Sequence, residues 1–219
     1  MAVIDGPRLP PASRRPADAL IVFLHGYGAD GNDLIAIGRE WSRALPNAAF
    51  AAPHAPSLLP GSPGRQWFPL TMRDPTEYWR GVNAAQPGLD AFLDAELART
   101  NVSPERLVLV GFSQGTMMAL HVGLRRKAGP AAVIGYSGLL PGPEHLRATT
   151  GRPELTLLHG DHDEVIPVDY MMMSASALGI AEIPVIWHIC PGLGHGIDAR
   201  GLAIGLDAVT RALAPPRRR

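Results

Sequence analysis

The sequence predicts an α/β fold, one domain with a mostly parallel central sheet and helices on both faces. Three observations carry that prediction. Short runs of strand length recur along the chain, too continuously apolar for a sheet with one wet face. Segments of helical period separate them. Regular alternation of the two favours parallel neighbours joined by right-handed crossovers.

In chain order, residues 1–18 form a lead-in rich in Pro, Arg and Ser, irregular or at most an edge strand. The domain then spans 19–213. Its first strand is "ALIVFLHG" (19–26), followed by a helix over about 30–45 and a second strand, "AAFAAP" (48–53). The stretch 53–83 carries Pro53, Pro56, Pro60, Pro63, Pro69 and Pro75 and is the longest irregular segment. A loop of that length in a compact domain is usually functional. A helix over 86–100 places Leu89, Phe92, Leu93 and Leu97 on one stripe. Then come "RLVLVGF" (106–112), a helix over 114–127, "AAVIGYSG" (131–138), "ELTLLHG" (154–160), a helix over 168–179, "IPVIWHI" (183–189) and a helix over 198–213. The tail 214–219, ending in three arginines, reads as a frayed, solvated basic end. There is no internal repeat and no second-domain linker.

Composition narrows the function classes. The 219 residues suit one compact core, and 46% hydrophobic with 18% charged residues is globular. Twenty basic and twenty acidic side chains cancel, so no strong field gathers nucleic acid or anionic membrane. No stretch is long enough for stable insertion into a bilayer, and no long apolar region follows the first charges as in a secretory signal. The single cysteine, Cys190, excludes an internal disulfide and fits a reducing, cytoplasmic setting. At the end of a strand it reads as a buried thiol, with a reactive thiol as the alternative.

The segment "LVLVGFSQGTMMAL" (107–120) runs from a strand through Gly-x-Ser-x-Gly into a helix. With 24 glycines and nine serines, chance supplies well under one such motif per chain. A strand-to-helix elbow strains the serine backbone, and side chains at Gly111 or Gly115 would crowd the neighbouring elements. The helix that follows aims free N–H groups at the turn. "GYSGL" (135–139) also follows a strand but lacks the second glycine and the amphipathic run, so Ser137 reads as structural. A serine nucleophile needs a base, and the base an orienting acid. In this architecture the acid and then the histidine come on loops after later strands. "DHDEVIP" and "CPGLGHGID" supply both: Asp161 or Asp163 as acid, with Glu164 and Asp169 outside the pattern, and His195 as base.

The other histidines carry weaker signals. His121 lies in a helix and His188 in a strand, and both read as packing or surface residues. His54 and His145 sit in loops without a partner signature. His159 and His162 flank Asp161, but no HExxH or Cys–His pair accompanies them, so neither a metal nor any other cofactor is expected.

"FLHGYGAD", "GFSQGTMMAL", "HGDHDEVIP" and "GLGHGI", in that order, resemble the phospholipase/carboxylesterase family of small α/β-hydrolases, which includes the acyl-protein thioesterases and bacterial carboxylesterases. The resemblance covers roughly residues 18 to 212, and "GRQWF" (64–68) looks nearer the bacterial esterase branch. It implies Ser113 as nucleophile, His195 as base and Asp163, rather than Asp161, as acid. It further implies an oxyanion hole from the backbone N–H groups of Tyr27 and Gln114, and it suggests a homodimer. The chain departs from the family's pattern at Thr116, where a second glycine is frequent, and at Tyr27, where Leu is frequent. Tyr27 in that place narrows an acyl pocket. His25 and Gly26 read as loop-shaping.

The expected activity is hydrolysis of short- to medium-chain carboxylic esters through an acyl-enzyme, on a small-molecule or lipid-like ester. A lysophospholipase, an acyl-protein thioesterase and an inactive binding protein on the same fold are the alternatives; a peptidase lacks the residues for a gripping domain. In the loop 57–80, Trp67 and Phe68 read either as an acyl-pocket wall or as pins holding the loop to the sheet. "YMMMSASALG" (170–179) reads as core filler with one exposed Met, because three consecutive residues cannot share one helix face.

Overall fold

All six residues of β2 (Ala19–Leu24) are buried, and their alternating side chains feed two cores, one on each face of the sheet. The computed structural model describes residues 4–71, 74 and 76–215. In chain order the elements are β1 (Arg8–Leu9), β2, α1 (Gly31–Trp41), β3 (Ala48–Ala51), β4 (Ser57–Leu58), β5 (Arg65–Gln66), α2 (Thr76–Thr100), β6 (Leu107–Phe112), α3 (Gln114–Gly123), β7 (Ala132–Tyr136), β8 (Glu154–Gly160), α4 (Asp169–Ile180), β9 (Val185–Cys190) and α5 (Ala199–Ala212), with short 3-10 turns at Pro104–Arg106 and Pro143–Ala148.

Seven strands form the main sheet in the order β1-β3-β2-β6-β7-β8-β9. Every pairing is parallel except β1 with β3, where Arg8 faces Ala51. Leu20, Val22 and Leu24 face a core closed by α2, α3 and α4. Ile21 and Phe23 face the core under α1 and α5, where the Phe23 ring lies 5.7 Å from Trp41 and 6.2 Å from Phe50. This is the α/β layering expected from the sequence, with helices on both faces.

Several boundaries differ. The lead-in joins the sheet through β1, and Arg8 ties it down with a 2.8 Å hydrogen bond to Glu96 of α2. Helix α2 begins at Thr76, ten residues before the start expected from the sequence. Asp74 accepts from the Thr76 N–H at 2.9 Å, and the helix continues through Pro87. Inside the proline-rich stretch, β4 and β5 pair as a small hairpin. In α4, Met171 is buried while Met172 and Met173 are 38% and 65% exposed, so two of the three Met side chains face solvent rather than one. Met72 and the terminal arginines lie outside the described residues.

Candidate active site

Strand β6 ends against Ser113, and α3 starts at the next residue. Ser113 has φ 54° and ψ −117°, a left-handed backbone that a β-strand running straight into a helix forces on it. Its N–H donates to Tyr136 O at 2.9 Å, and its carbonyl accepts from the Thr116 N–H at 2.9 Å. The glycines on either side are sterically required. A Cβ on Gly115 would lie 1.8 Å from Leu24 O, and one on Gly111 would lie 2.5 Å from the Gly115 carbonyl. Thr116, in the second-glycine position, is accommodated by glycines opposite: a Cβ on Gly135 or Gly138 would strike its side chain at 2.5 and 2.4 Å. Its Oγ1 donates to Tyr136 O at 2.8 Å.

The loop after β2 runs alongside the elbow. A Cβ on Gly26 would come within 3.2 Å of Ser113 Cβ, a tight contact that the glycine avoids where the two turns approach. His25 shapes that loop. Its Nε2 accepts from the Ala55 N–H at 2.9 Å, which leaves the proton on Nδ1 to donate to Gly26 O at 2.8 Å. Burial holds this imidazole below its ordinary pKa, so it stays neutral. The N–H groups of Tyr27 and of Gln114, the latter at the first position of α3, have no acceptor among the described residues.

Asp163 and His195, the acid and base expected from the sequence, meet after the carboxyl ends of β8 and β9. His195 Nδ1 lies 2.8 Å from Asp163 Oδ2, and Asp163 Oδ1 accepts from the N–H groups of Val165 and Ile166, both at 2.9 Å. Burial opposes the charge on this carboxylate, but hydrogen bonds from His195 and those two backbone groups hold its pKa below the ordinary range. Asp161 is occupied otherwise, accepting from the Gly192 N–H at 2.6 Å. The Phe112 ring, next to Ser113, lies 4.9 Å from the His195 ring.

Trp67 and Phe68 are each 2% exposed and are tied to the elbow through Gln114. Gln114 clamps both: its Oε1 accepts from the Trp67 N–H and its Nε2 donates to Phe68 O, each at 2.8 Å, while Trp67 Nε1 donates to His25 O at 2.9 Å. This side-chain role of Gln114 was invisible in the sequence, because both its partners are backbone atoms some 46 positions away. A groove of about 950 Å³ opens between the start of α2, the segment after β7, the segment after Asp163 and α4. Leu139, Leu140, Ile166, Tyr170 and Ala177 give it apolar walls. Trp67 and Phe68 do not border it.

The remaining sequence candidates have structural places. Ser137 is 1% exposed and its Oγ donates to Gly196 O at 3.2 Å, tying down the loop that carries His195. His121 is buried against Gln86, with its pKa lowered to about 3 by burial and by Arg125. His145 stacks on Trp79 at 3.9 Å, and His54 accepts from the Gly31 N–H at 3.1 Å. Burial raises the Cys190 thiol. Among the described residues no group of three or more His, Cys, Asp or Glu is placed to hold a metal, and no helix is long and apolar enough to cross a membrane.

This arrangement has counterparts. The phospholipase/carboxylesterase family profile matches residues 11–209. The chain belongs to that family. It is similar to the esterase PE8, whose crystal structure superposes with a TM-score of 0.91 at 40% identity, covering 95% of this chain and 99% of that one. It is 26% identical to acyl-protein thioesterase 1 of Gibberella zeae, over 91% of this chain and 92% of that protein. It is 28% identical to the esterase YpfH of Escherichia coli, over 88% and 82%. The fold is that of the α/β-hydrolase esterases, and the protein is a hydrolase of the esterase/thioesterase family.

Proposed function

We propose that the protein is a carboxylesterase with Ser113, Asp163 and His195 as its catalytic triad. The observation that carries this is the 2.8 Å Asp163–His195 pair, with the His195 ring 4.9 Å from Phe112, the residue before a serine held on a strained elbow. Neutral His195 takes the Ser113 proton through Nε2 as Oγ attacks the ester carbonyl, closing its hydrogen bond to Ser113 in the substrate complex. Asp163 fixes the imidazole tautomer and stabilises the imidazolium. The N–H groups of Tyr27 and Gln114 receive the oxyanion, and His195 returns the proton to the leaving alcohol. Water, activated by His195, then releases the acid from the acyl-enzyme. The acyl chain lies along the groove against Leu139, Leu140 and Ile166. Trp67 and Phe68 act one layer below, by fixing Gln114.

The test is a series of p-nitrophenyl esters, acetyl to palmitoyl, on wild type and Ser113→Ala side by side. A short- to medium-chain optimum is expected, with kcat lost by about 10⁴ to 10⁶ in the variant. Substantial activity in Ser113→Ala would overturn the triad. An optimum at long chains would favour a lysophospholipase or an acyl-protein thioesterase, a reading supported by the volume and apolar walls of the groove. Inactivity on every ester would return the inactive binding protein.

A homodimer and a cytoplasmic setting belong to the same proposal. The buried, lone Cys190 supports a reducing compartment. The open edge of β9 supports pairing of copies, since Ile186, Trp187 and Ile189 are 46%, 44% and 39% exposed there and the strand carries no Asp, Glu, Lys or Arg. Sedimentation at twice the monomer mass is the expected result; a monomer at micromolar concentration would remove the dimer.

A further inference from the structure

Asp163 is shared by two imidazoles. His195 takes one side of Oδ2, and His159, on β8, places its Nε2 3.2 Å from the same oxygen. The His159 side chain is 1% exposed and that of Asp163 is 0% exposed, so this contact is made away from solvent. The tautomer follows from a third atom. His159 Nε2 lies 2.7 Å from Ile166 O, and a carbonyl can only accept, so Nε2 carries the proton. That Nε2–H donates to the carbonyl of Ile166, which walls the groove, and Asp163 Oδ2 lies 3.2 Å from the same nitrogen.

The other ring nitrogen supplies an independent observation. His159 Nδ1 is buried without a hydrogen-bond partner among the described residues. An unpaired buried acceptor is unfavourable, and an apolar side chain would fill the position without one. Space-filling therefore does not account for an imidazole here, whereas the Nε2–H does.

We propose that His159 is a positioning residue of the active site, whose Nε2–H holds Asp163 Oδ2 in line with His195 and locks it to the groove wall at Ile166. The inference rests on the triad reading above. With it the carboxylate has four donors: Val165 N and Ile166 N on Oδ1, His195 Nδ1 and His159 Nε2 on Oδ2. Burial lowers the proton affinity of His159, so the ring remains a neutral donor. Among the described residues the titratable side chains against Asp163 are His195, from the loop after β9, and His159, from β8; Asp161 is engaged with Gly192.

The experiment compares wild type with His159→Leu, which removes the donor, and His159→Gln, which keeps an N–H within reach. Melting curves and the pH profile of ester hydrolysis are read for each. For His159→Leu, kcat should fall roughly tenfold or more, with KM within about twofold, because the acid is no longer aimed. Losing one donor from a carboxylate also raises its proton affinity, so the acidic limb of kcat/KM should move up by roughly half to one pH unit. His159→Gln should recover most of both. A Leu variant with wild-type kcat and an unmoved acidic limb overturns the proposal, as does a Gln variant that melts like wild type yet loses as much kcat as Leu. If His159→Leu does not fold, the Gln variant decides alone by the same two readings. The triad is judged separately: it fails if Ser113→Ala stays active, and it stands if only the His159 variants are silent.

Discussion

Two serines end neighbouring strands of this sheet at nearly the same positive φ, and only one leaves its hydroxyl free at a helix N-terminus. Ser113 closes β6 with φ 54°, and Ser137 follows β7 with φ 46°. Each donates its N–H to the next strand along, Ser113 to Tyr136 O and Ser137 to Leu158 O, both at 2.9 Å. They part at the next residue. Gln114 begins a ten-residue helix whose first N–H groups point back at the turn, whereas Gly138 is pressed against Thr116 and leads into a 3-10 turn. Ser113 is 8% exposed, and its Oγ has no partner among the described residues; Ser137 is 1% exposed and spends its Oγ on Gly196 O. Backbone strain alone therefore does not mark a nucleophile. Strain followed by a helix N-terminus, with the hydroxyl left free, is what supports Ser113 over Ser137 as the proposed nucleophile.

The largest effect that would break this contrast comes from the glycine that lets α3 start where it does. In Gly115→Ala the new Cβ meets Leu24 O, Leu24 C and His25 O, all backbone atoms that cannot rotate away. Such a substitution falls among the exceptional losses, above about 4 kcal/mol. Differential scanning calorimetry should show Tm lowered by roughly 10 °C or more in a domain of this size, or no soluble protein. A variant that melts like wild type would mean that α3 slides to make room, and the elbow would then owe less to its glycines than the contacts indicate.

How much of this was legible beforehand differs between the two turns. The elbow was readable because its requirements are local. A strand, two glycines two positions from a serine and a helical run all fall within fourteen residues, and the loops after β8 and β9 obey the same end-of-strand rule. The acid was narrowed to Asp161 or Asp163 by residue type, and the family resemblance chose between them; the 2.8 Å contact with His195 is made by Asp163. What stayed hidden depends on long-range packing. The clamp of Gln114 on Trp67 and Phe68 joins side chain to backbone across 47 and 46 positions. The early start of α2 was masked by its prolines, since Pro87 is tolerated inside the helix. His159 could not be separated from a core histidine until its tautomer was fixed by Ile166 O.

The smallest effect is also the sharpest for the comparison. Ser137→Ala keeps the backbone turn and removes one hydroxyl, so it tests whether the second serine acts only through the histidine loop. The lost hydrogen bond to Gly196 O is worth about 1 kcal/mol, or roughly 2–4 °C in Tm for a chain of this length. Gly196 is partly exposed, so water can replace the hydroxyl at its carbonyl and limit the loss. The activity cost should be a few-fold in kcat with KM unchanged, because Gly196 adjoins His195 and slack there misaims the base. Placed beside Ser113→Ala, the two variants should differ by at least about 10³ in kcat although they delete the same atom from serines of similar φ. A Ser137→Ala enzyme as inactive as Ser113→Ala, at an unchanged melting temperature, would put the second hydroxyl in the chemistry. A variant indistinguishable from wild type in both kcat and Tm would instead show that the His195 loop is held by its other contacts, and that the hydrogen bond to Gly196 contributes nothing measurable.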